Sequence, residues 1–253
     1  MASPKWLLVR PAALLMMATV WATSAAAQSH SQPRVEISAN VGAQTAASKF
    51  TASDTVPSNG GETETITVDH GAKTALAFDI GAAVRIVPRL FVGVSYAAAE
   101  MKTSGAITAS IPHPILFNAP RTVQGSVDGL AHQEQNVHVD VLYALPINAV
   151  DVKVMAGPTF FTLKQDFVSG LSITETYPFD TATFAGATTK RSSKSAVGFN
   201  AGVDISHSIS SQTGIGALIR YSQGDVKFDG ADTAQHAVKA GGLEVVAGIR
   251  LRF

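Results

Sequence analysis

Apolar and polar residues take turns along this chain with a period of two. Val35, Ile37, Ala39, Val41 and Ala43 alternate with Glu36, Ser38, Asn40, Gly42 and Gln44, the pattern of a strand whose faces meet different surroundings. The same rhythm recurs over residues 76–86, 90–98, 137–145, 150–160, 197–205, 215–221 and 243–253, which predicts eight strands. Links at 87–89, 146–149 and 207–212 are short and carry Pro, Asn or Ser, as tight turns do. Links at 48–72, 102–135, 169–194 and 228–240 are long and rich in Gly, Ser, Thr, Asp and Pro. An even number of strands joined by alternating short and long links is the rhythm of an up-and-down barrel.

The polar face decides which way the strands look. A soluble barrel covers its exterior with Lys and Glu, whereas this face is mainly small: Gly42, Gly81, Gly93, Gly157, Gly198, Gly202, Gly216 and Gly248, with Ser38, Asn40, Ser95 and Asn200. Small residues suit a narrow lumen. The apolar face holds no charge, as lipid contact demands, since a Lys or Arg at the bilayer midplane costs about 2–4 kcal/mol. An open sheet edge cannot satisfy its backbone groups in hydrocarbon, so the sheet must close. The predicted class is all-β: an eight-stranded antiparallel transmembrane barrel with short periplasmic turns and long extracellular loops.

Composition narrows the field further. With 46% apolar residues the chain is no disordered tail, and 19 basic against 19 acidic residues give no reason to bind nucleic acid. The absence of cysteine excludes disulfides and thiolate metal sites. Lys5 and Arg10 precede an eleven-residue apolar run at 12–22, and Ala25, Ala26 and Ala27 stand before Gln28. That is the layout of a cleaved signal peptide over residues 1–27, and the run is too short for the roughly 20 residues of a spanning helix. Both tryptophans, Trp6 and Trp21, lie in that segment. Residues 28–253 are then the barrel domain.

Inward parity assembles a lumen from Glu36, Asp79, Asp140, Asp151, Asp204 and Glu244 against Arg85, Lys153, Arg220, Arg250 and Arg252. Unpaired charges are costly there, so cross-strand ion pairs are expected: Glu36 near Arg250 and Arg252, and Arg220 with Glu244. His138 and Asp140 share the inward face two residues apart and read more readily as a lumen hydrogen bond than as a catalytic or metal dyad. Compact nucleophile, zinc-protease, phosphate-loop and calcium-loop motifs are absent, and no catalytic residue, cofactor or metal site is assigned. The second long link stands out for its apolar, proline-stiffened run of Ile111, Pro112, His113, Pro114, Ile115, Leu116 and Phe117. It suits a lid over the barrel mouth, strands extending past the membrane, or a contact site. Lys190, Arg191 and Lys194 add cations to the third link, where they could meet lipopolysaccharide phosphates.

The chain end Ala247-Gly248-Ile249-Arg250-Leu251-Arg252-Phe253 resembles the C-terminal signal of outer-membrane barrels: Gly248, alternating hydrophobes through Leu251, and a terminal Phe253. Val246 departs from that motif, which has a polar residue two places before the glycine. With the signal peptide and eight strands, the chain is similar to small OmpA/OmpX-like and OmpW-like barrels. It also resembles a group of outer-membrane β-barrel proteins of unassigned role that carry a Pro-His-Pro, Phe-Asn, Pro-Arg loop, here Pro112-His113-Pro114, Phe117-Asn118 and Pro120-Arg121. The resemblance implies the outer membrane of a Gram-negative bacterium, with the barrel-assembly machinery, outer-membrane lipid and lipopolysaccharide as partners. It implies a structural or interaction role in the envelope, with long loops displayed over a mostly plugged polar lumen. The OmpW-like resemblance implies an alternative, a narrow channel for small hydrophobic or polar solutes.

Overall fold

The computed structural model describes residues 34–45, 49–58, 61–71, 73–145, 147, 150–230 and 235–253; the expected signal peptide lies outside them. The elements are all strands: β1 (Val35–Thr45), β2 (Phe50–Pro57), β3 (Thr63–His70), β4 (Thr74–Val87), β5 (Leu90–Ile111), β6 (Arg121–Leu145), β7 (Asp151–Glu175), β8 (Ala182–Ser208), β9 (Thr213–Asp229) and β10 (Gln235–Arg252). Eight of them close an antiparallel ring in the order β5-β4-β1-β10-β9-β8-β7-β6, with β6 returning to β5. Up to His132–Gln165 on the β6–β7 seam and Phe199–Gln223 on the β8–β9 seam, neighbouring strands of the ring stay paired, as a bilayer requires; above those pairs the two seams part. These eight are the strands the periodicity predicts. Their apolar faces look outward: Val139, Phe199 and Ile249 are 38%, 56% and 52% exposed.

The long links need correcting. Residues 102–135 follow the alternative of strands extending past the membrane, mostly continuing β5 and β6; residues 169–194, expected as a loop, mostly continue β7 and β8, and the link expected at 228–240 shrinks to the gap between β9 and β10. The link at 48–72 holds the β2–β3 hairpin. The physical reason is visible along β9. Its outward residues change from Ile215, Ala217, Ile219 and Tyr221 to Gln223, Asp225, Lys227 and Asp229, while its inward ones change from Gly216, Leu218, Arg220 and Ser222 to Gly224, Val226 and Phe228. The strand keeps its alternation and exchanges its chemistries where it leaves lipid for water. Outward Glu100 and Lys102 on β5, Lys164 on β7 and Lys239 on β10 mark the same level.

Above that level the wall is rebuilt. β1 ends at Thr45 and β4 begins opposite it at Thr74, while β5 and β10 run on. The β2–β3 hairpin takes the place of the two missing strands. β3 succeeds β4 as the partner of β5, from Thr65 opposite Ser110 to His70 opposite Gly105, and β2 packs toward β10, where Asp54 meets His236 at 3.0 Å. Apolar side chains fill this upper tier. One cluster gathers Ala52, Phe161, Leu163, Phe167, Val226, Phe228, Val238 and Ala240; another gathers Ile66, Val68, Ile107, Ala109, Ile111, Val123 and Val168.

Inside the membrane belt, close strand approach adds a second reason for glycine beyond lumen width. A Cβ on Gly157 would lie 1.9 Å from the Val139 carbonyl oxygen, and one on Gly248 would lie 1.8 Å from that of Ala39. Both obstacles are backbone, so the ladder itself would have to move. At Gly81 the nearest atom is the Ser38 hydroxyl at 3.0 Å, which can rotate away. We therefore expect Gly157→Ala and Gly248→Ala each to destabilise the barrel by at least about 1–3 kcal/mol and to lower refolding yield into lipid vesicles, scored by heat-modifiable gel mobility. Gly81→Ala is expected to refold close to normally; equal behaviour of the three variants would contradict this account.

Candidate functional site

Charges from non-adjacent strands meet across the ring interior. Nearest the periplasm, Glu36 on β1 accepts from Lys153 of β7 at 2.5 Å and from Arg252 of β10 at 3.0 Å. Arg252 also reaches Asp151 at 2.9 Å and Ser206 at 2.8 Å. One level higher, Arg250 binds Asp204 at 2.5 Å and donates to the Asn40 oxygen at 2.5 Å, and the Asn40 amide donates to Asp79 at 2.8 Å. Asp79 in turn accepts from Arg220 at 2.6 Å, while Arg220 also binds Glu244 at 2.7 Å and Ser95 at 2.8 Å. An unbroken relay thus runs from Asp204 through Arg250, Asn40, Asp79 and Arg220 to Glu244. Arg220 and Arg250 are 1% and 0% exposed, so their side chains fill the ring.

The geometry joins Arg220 with Glu244 and Glu36 with Arg252. It does not join Glu36 with Arg250, whose guanidinium sits one layer higher and is taken by Asp204. Arg85 lies half-buried near the periplasmic end of β4, opposite Phe91. The His138 Nδ1 shares a hydrogen bond with Thr159 at 2.8 Å, and His138 Nε2 and Asp140 Oδ1 have no hydrogen-bond partner among the described residues. Asp140 lines a cavity of about 50 Å³ with Glu36, Asp79, Asp204 and Arg220, enough for a water or two.

A further layer escaped the sequence reading. Gln44 donates to Glu134 at 2.8 Å, Glu134 meets His132 at 2.8 Å, and His132 meets Gln165 at 2.6 Å. The signal was present in β6, where His132, Glu134, Asn136, His138 and Asp140 keep step on one face. Above this layer His70 stacks on Phe50 at 4.2 Å and meets Phe167 edge-on at 6.1 Å. Neither of its ring nitrogens has a partner. Burial first, then the charges of His132 and His236, push its pKa down to about 4, with Asp69 pulling the other way. Against the cost of burial, the hydrogen bond and charge of Glu134 hold the His132 pKa above its ordinary value.

The apolar run expected as one loop divides in two. Ile111 ends β5 as a buried residue and His113 is buried beneath the turn, with Pro112 half-buried, whereas Pro114, Ile115, Leu116 and Phe117 stand exposed. The His113 Nδ1 accepts from the Ile115 and Leu116 amides at 3.1 and 3.0 Å. Arg121 donates to Glu175 at 2.6 Å, to the Phe179 carbonyl at 2.8 Å and to the Pro112 carbonyl at 2.9 Å. The Asn118 amide donates to Glu62 at 2.7 Å. Pro112 and Arg121 therefore clasp the β5–β6 and β7–β8 tips together, and Asn118 adds the β2–β3 tip through Glu62. Lower down, Arg191 is engaged by Asp166 at 2.7 Å and Lys194 by Asp229 at 2.7 Å. At the chain end, Gly248 sits at the β1–β10 closure, Leu251 is half-buried and Phe253 is exposed.

The family model described as outer membrane protein beta-barrel domain matches residues 12–250. No curated protein matches the chain in sequence. Similar solved structures include Neisserial surface protein A, 15% identical, with 87% of this chain and 97% of that chain covered and a TM-score of 0.44. Another is Ail, the attachment invasion locus protein of Yersinia pestis, in complex with the heparin analogue sucrose octasulfate, 15% identical over 86% and 99% at a TM-score of 0.37. A third is the outer membrane protein AlkL in DMPC bilayers, 14% identical over 91% and 92% at a TM-score of 0.39.

Removing one member of a buried ionic relay leaves its partners charged and unpaired. Arg220→Ala is expected to cost about 3–5 kcal/mol in urea unfolding from lipid vesicles, and Arg220→Met combined with Asp79→Asn and Glu244→Gln to recover most of it; additive losses would contradict the relay. The lowered His70 pKa makes its contribution full above about pH 6.5 and lost as pH falls toward 4, worth about 3 kcal/mol. His132 acts in the opposite sense, so the two must be separated. Amide protection of β3, corrected for intrinsic exchange, is expected to fall between pH 7 and pH 4 in the parent chain and to hold in His70→Phe. The same fall in both chains would exclude His70 as its source.

Proposed function

Because this chain belongs to the family of outer membrane protein β-barrel domains, we propose that it works in the Gram-negative outer membrane as a sealed barrel, a fixed support that displays a folded extracellular tier. The observation that carries this reading is the relay from Asp204 to Glu244 through Arg250 and Arg220. It spans the interior, and eight strands leave a lumen only wide enough for side chains to fill. Above it the tier is packed with Phe161, Leu163, Phe167 and Phe228. A solute would have to displace paired charges first and an apolar core second.

The alternative of a narrow solute channel is the weaker reading, because the cavity among the lumen charges holds about 50 Å³. We assign no catalytic role: His138 is engaged by Thr159. The terminal strand carrying Gly248, Leu251 and Phe253 is proposed as the segment read by the barrel-assembly machinery, supported by the exposure of Phe253. Contact of Arg191 and Lys194 with lipopolysaccharide phosphates is proposed as an exchange reaction, since each cation would have to leave Asp166 or Asp229.

Planar-bilayer recording on the refolded protein tests the reading. We expect no stable single-channel openings from the unaltered chain, nor once Arg220, Asp79 and Glu244 are all replaced by Ala, because the apolar core above them still closes the path. Stable openings in the unaltered chain that disappear on lumen-charge substitution would overturn the sealed barrel in favour of transport.

A further inference from the structure

The end of the barrel farthest from the bilayer carries an apolar crown. Ile115, Leu116 and Phe117 are 63%, 55% and 78% exposed, and Tyr177 on the neighbouring tip is 78% exposed. A cavity of about 420 Å³ lies under the same tips, lined by Ile111, Pro112, Leu171 and Ile173 together with the polar Ser58, Glu64, His113, Arg121 and Glu175, and none of the four exposed side chains lines it. The clasp fixes the tips that carry them. His113 Nδ1 fixes the turn through the Ile115 and Leu116 amides, and Arg121 ties the Pro112 carbonyl to Glu175 and the Phe179 carbonyl. A charged loop on a solvated tip would need no explanation, but residues 112–120 contain no Asp, Glu, Lys or Arg. A rigidly presented, uncharged, apolar tip is a binding feature.

Size and charge select its occupant. Four side chains on hairpin tips fall far short of the roughly 800 Å² per partner that a stable protein interface buries. A lipid surface needs no matching shape and takes individual apolar side chains into its headgroup boundary. Among the described residues the charged side chains beside the crown are the acids Glu62, Glu64, Glu175 and Asp180 and the cation Arg121, which is consumed by the clasp. That balance disfavours anionic headgroups. With strands rising about 3.3 Å per residue at a tilt of about 40°, the stretch from Glu100 to Ile111 lifts the crown roughly 30 Å above its own bilayer, out of reach of its own lipids. We propose that Ile115, Leu116, Phe117 and Tyr177 insert into the interface of an apposed zwitterionic phospholipid surface. The proposal names an occupant for the displayed tier, so it rests on that part of the preceding reading; lumen conductance leaves it unaffected.

The test uses the full chain refolded into nanodiscs and mixed with phosphatidylcholine or phosphatidylglycerol vesicles. We expect the nanodiscs to float with phosphatidylcholine vesicles and more weakly with phosphatidylglycerol ones. Leu116→Ser combined with Phe117→Ser should cut flotation at least about tenfold while heat-modifiable mobility stays unchanged. Phe117→Trp should shift emission to the blue on adding phosphatidylcholine, relative to the parent chain. The proposal is overturned by absence of flotation, by equal flotation of the serine variant, by preference for phosphatidylglycerol, or by nanodiscs pairing tip to tip without vesicles.

Discussion

A strand that passes from hydrocarbon into water must exchange the chemistries of its two faces at the boundary, and the rest of this structure depends on that exchange. Below the boundary apolar side chains gain by facing lipid and polar ones can persist only inside. Above it the hydrophobic effect reverses the preference. β9 shows both regimes in one strand, with Tyr221 and Gln223 as the last outward residue of one and the first of the other. On its β10 side β9 keeps its ladder from Thr213 to Asp229, while on its β8 side the ladder ends at Gln223 opposite Phe199. The strands therefore enclose paired charges beside an apolar cluster with Leu142, Met155, Leu218 and Val246 in the membrane, and an apolar interior beyond it, where the β6–β7 and β8–β9 ladders have ended at His132–Gln165 and Phe199–Gln223.

Each interior meets its own cost. The polar one holds guanidinium and carboxylate groups away from water, where desolvation is expensive unless every charge is paired and hydrogen-bonded. Arg220 meets this with Glu244, Asp79 and Ser95, and Arg250 with Asp204 and Asn40. Such pairs join strands far apart in the chain, so they specify register as well as filling space. The apolar interior needs enough wall to enclose it, and β1 and β4 stop short. The β2–β3 hairpin completes the wall with hydrogen bonds on the β5 side and with packing and the Asp54–His236 pair on the β10 side.

The parts legible in the sequence were those where one rule held throughout a segment. Outward Val, Ile and Tyr in the lipid belt gave the eight ring strands, and inward parity placed Arg220 beside Glu244. The upper tier was legible only at the second long link, where strands extending past the membrane were one alternative; elsewhere its strands obey the same period with opposite chemistry, and Asp225, Lys227 and Asp229 look like loop residues until Val226 and Phe228 are seen as an inward face. The pairing of Glu36 with Arg250 failed because parity fixes a side chain's face and not its height, and Asp204 lies at the height of Arg250. The clasp at Arg121 joins turns remote in sequence, which no local pattern reports. Only its composition, Pro-His-Pro and Pro-Arg around a charge-free run, set it apart.

The polarity exchange is measurable one residue at a time because the chain has no cysteine of its own. Single spin labels at Ala217, Ile219, Tyr221, Gln223, Asp225 and Lys227 in lipid vesicles, scored for collision with oxygen against a water-soluble nickel chelate, report the surroundings of each outward position. Dominant oxygen collisions through Tyr221 and dominant nickel collisions from Asp225 onward are predicted. Lipid exposure at Asp225 and Lys227, or water exposure at Ala217 and Ile219, would contradict the exchange and the two-tiered barrel built on it.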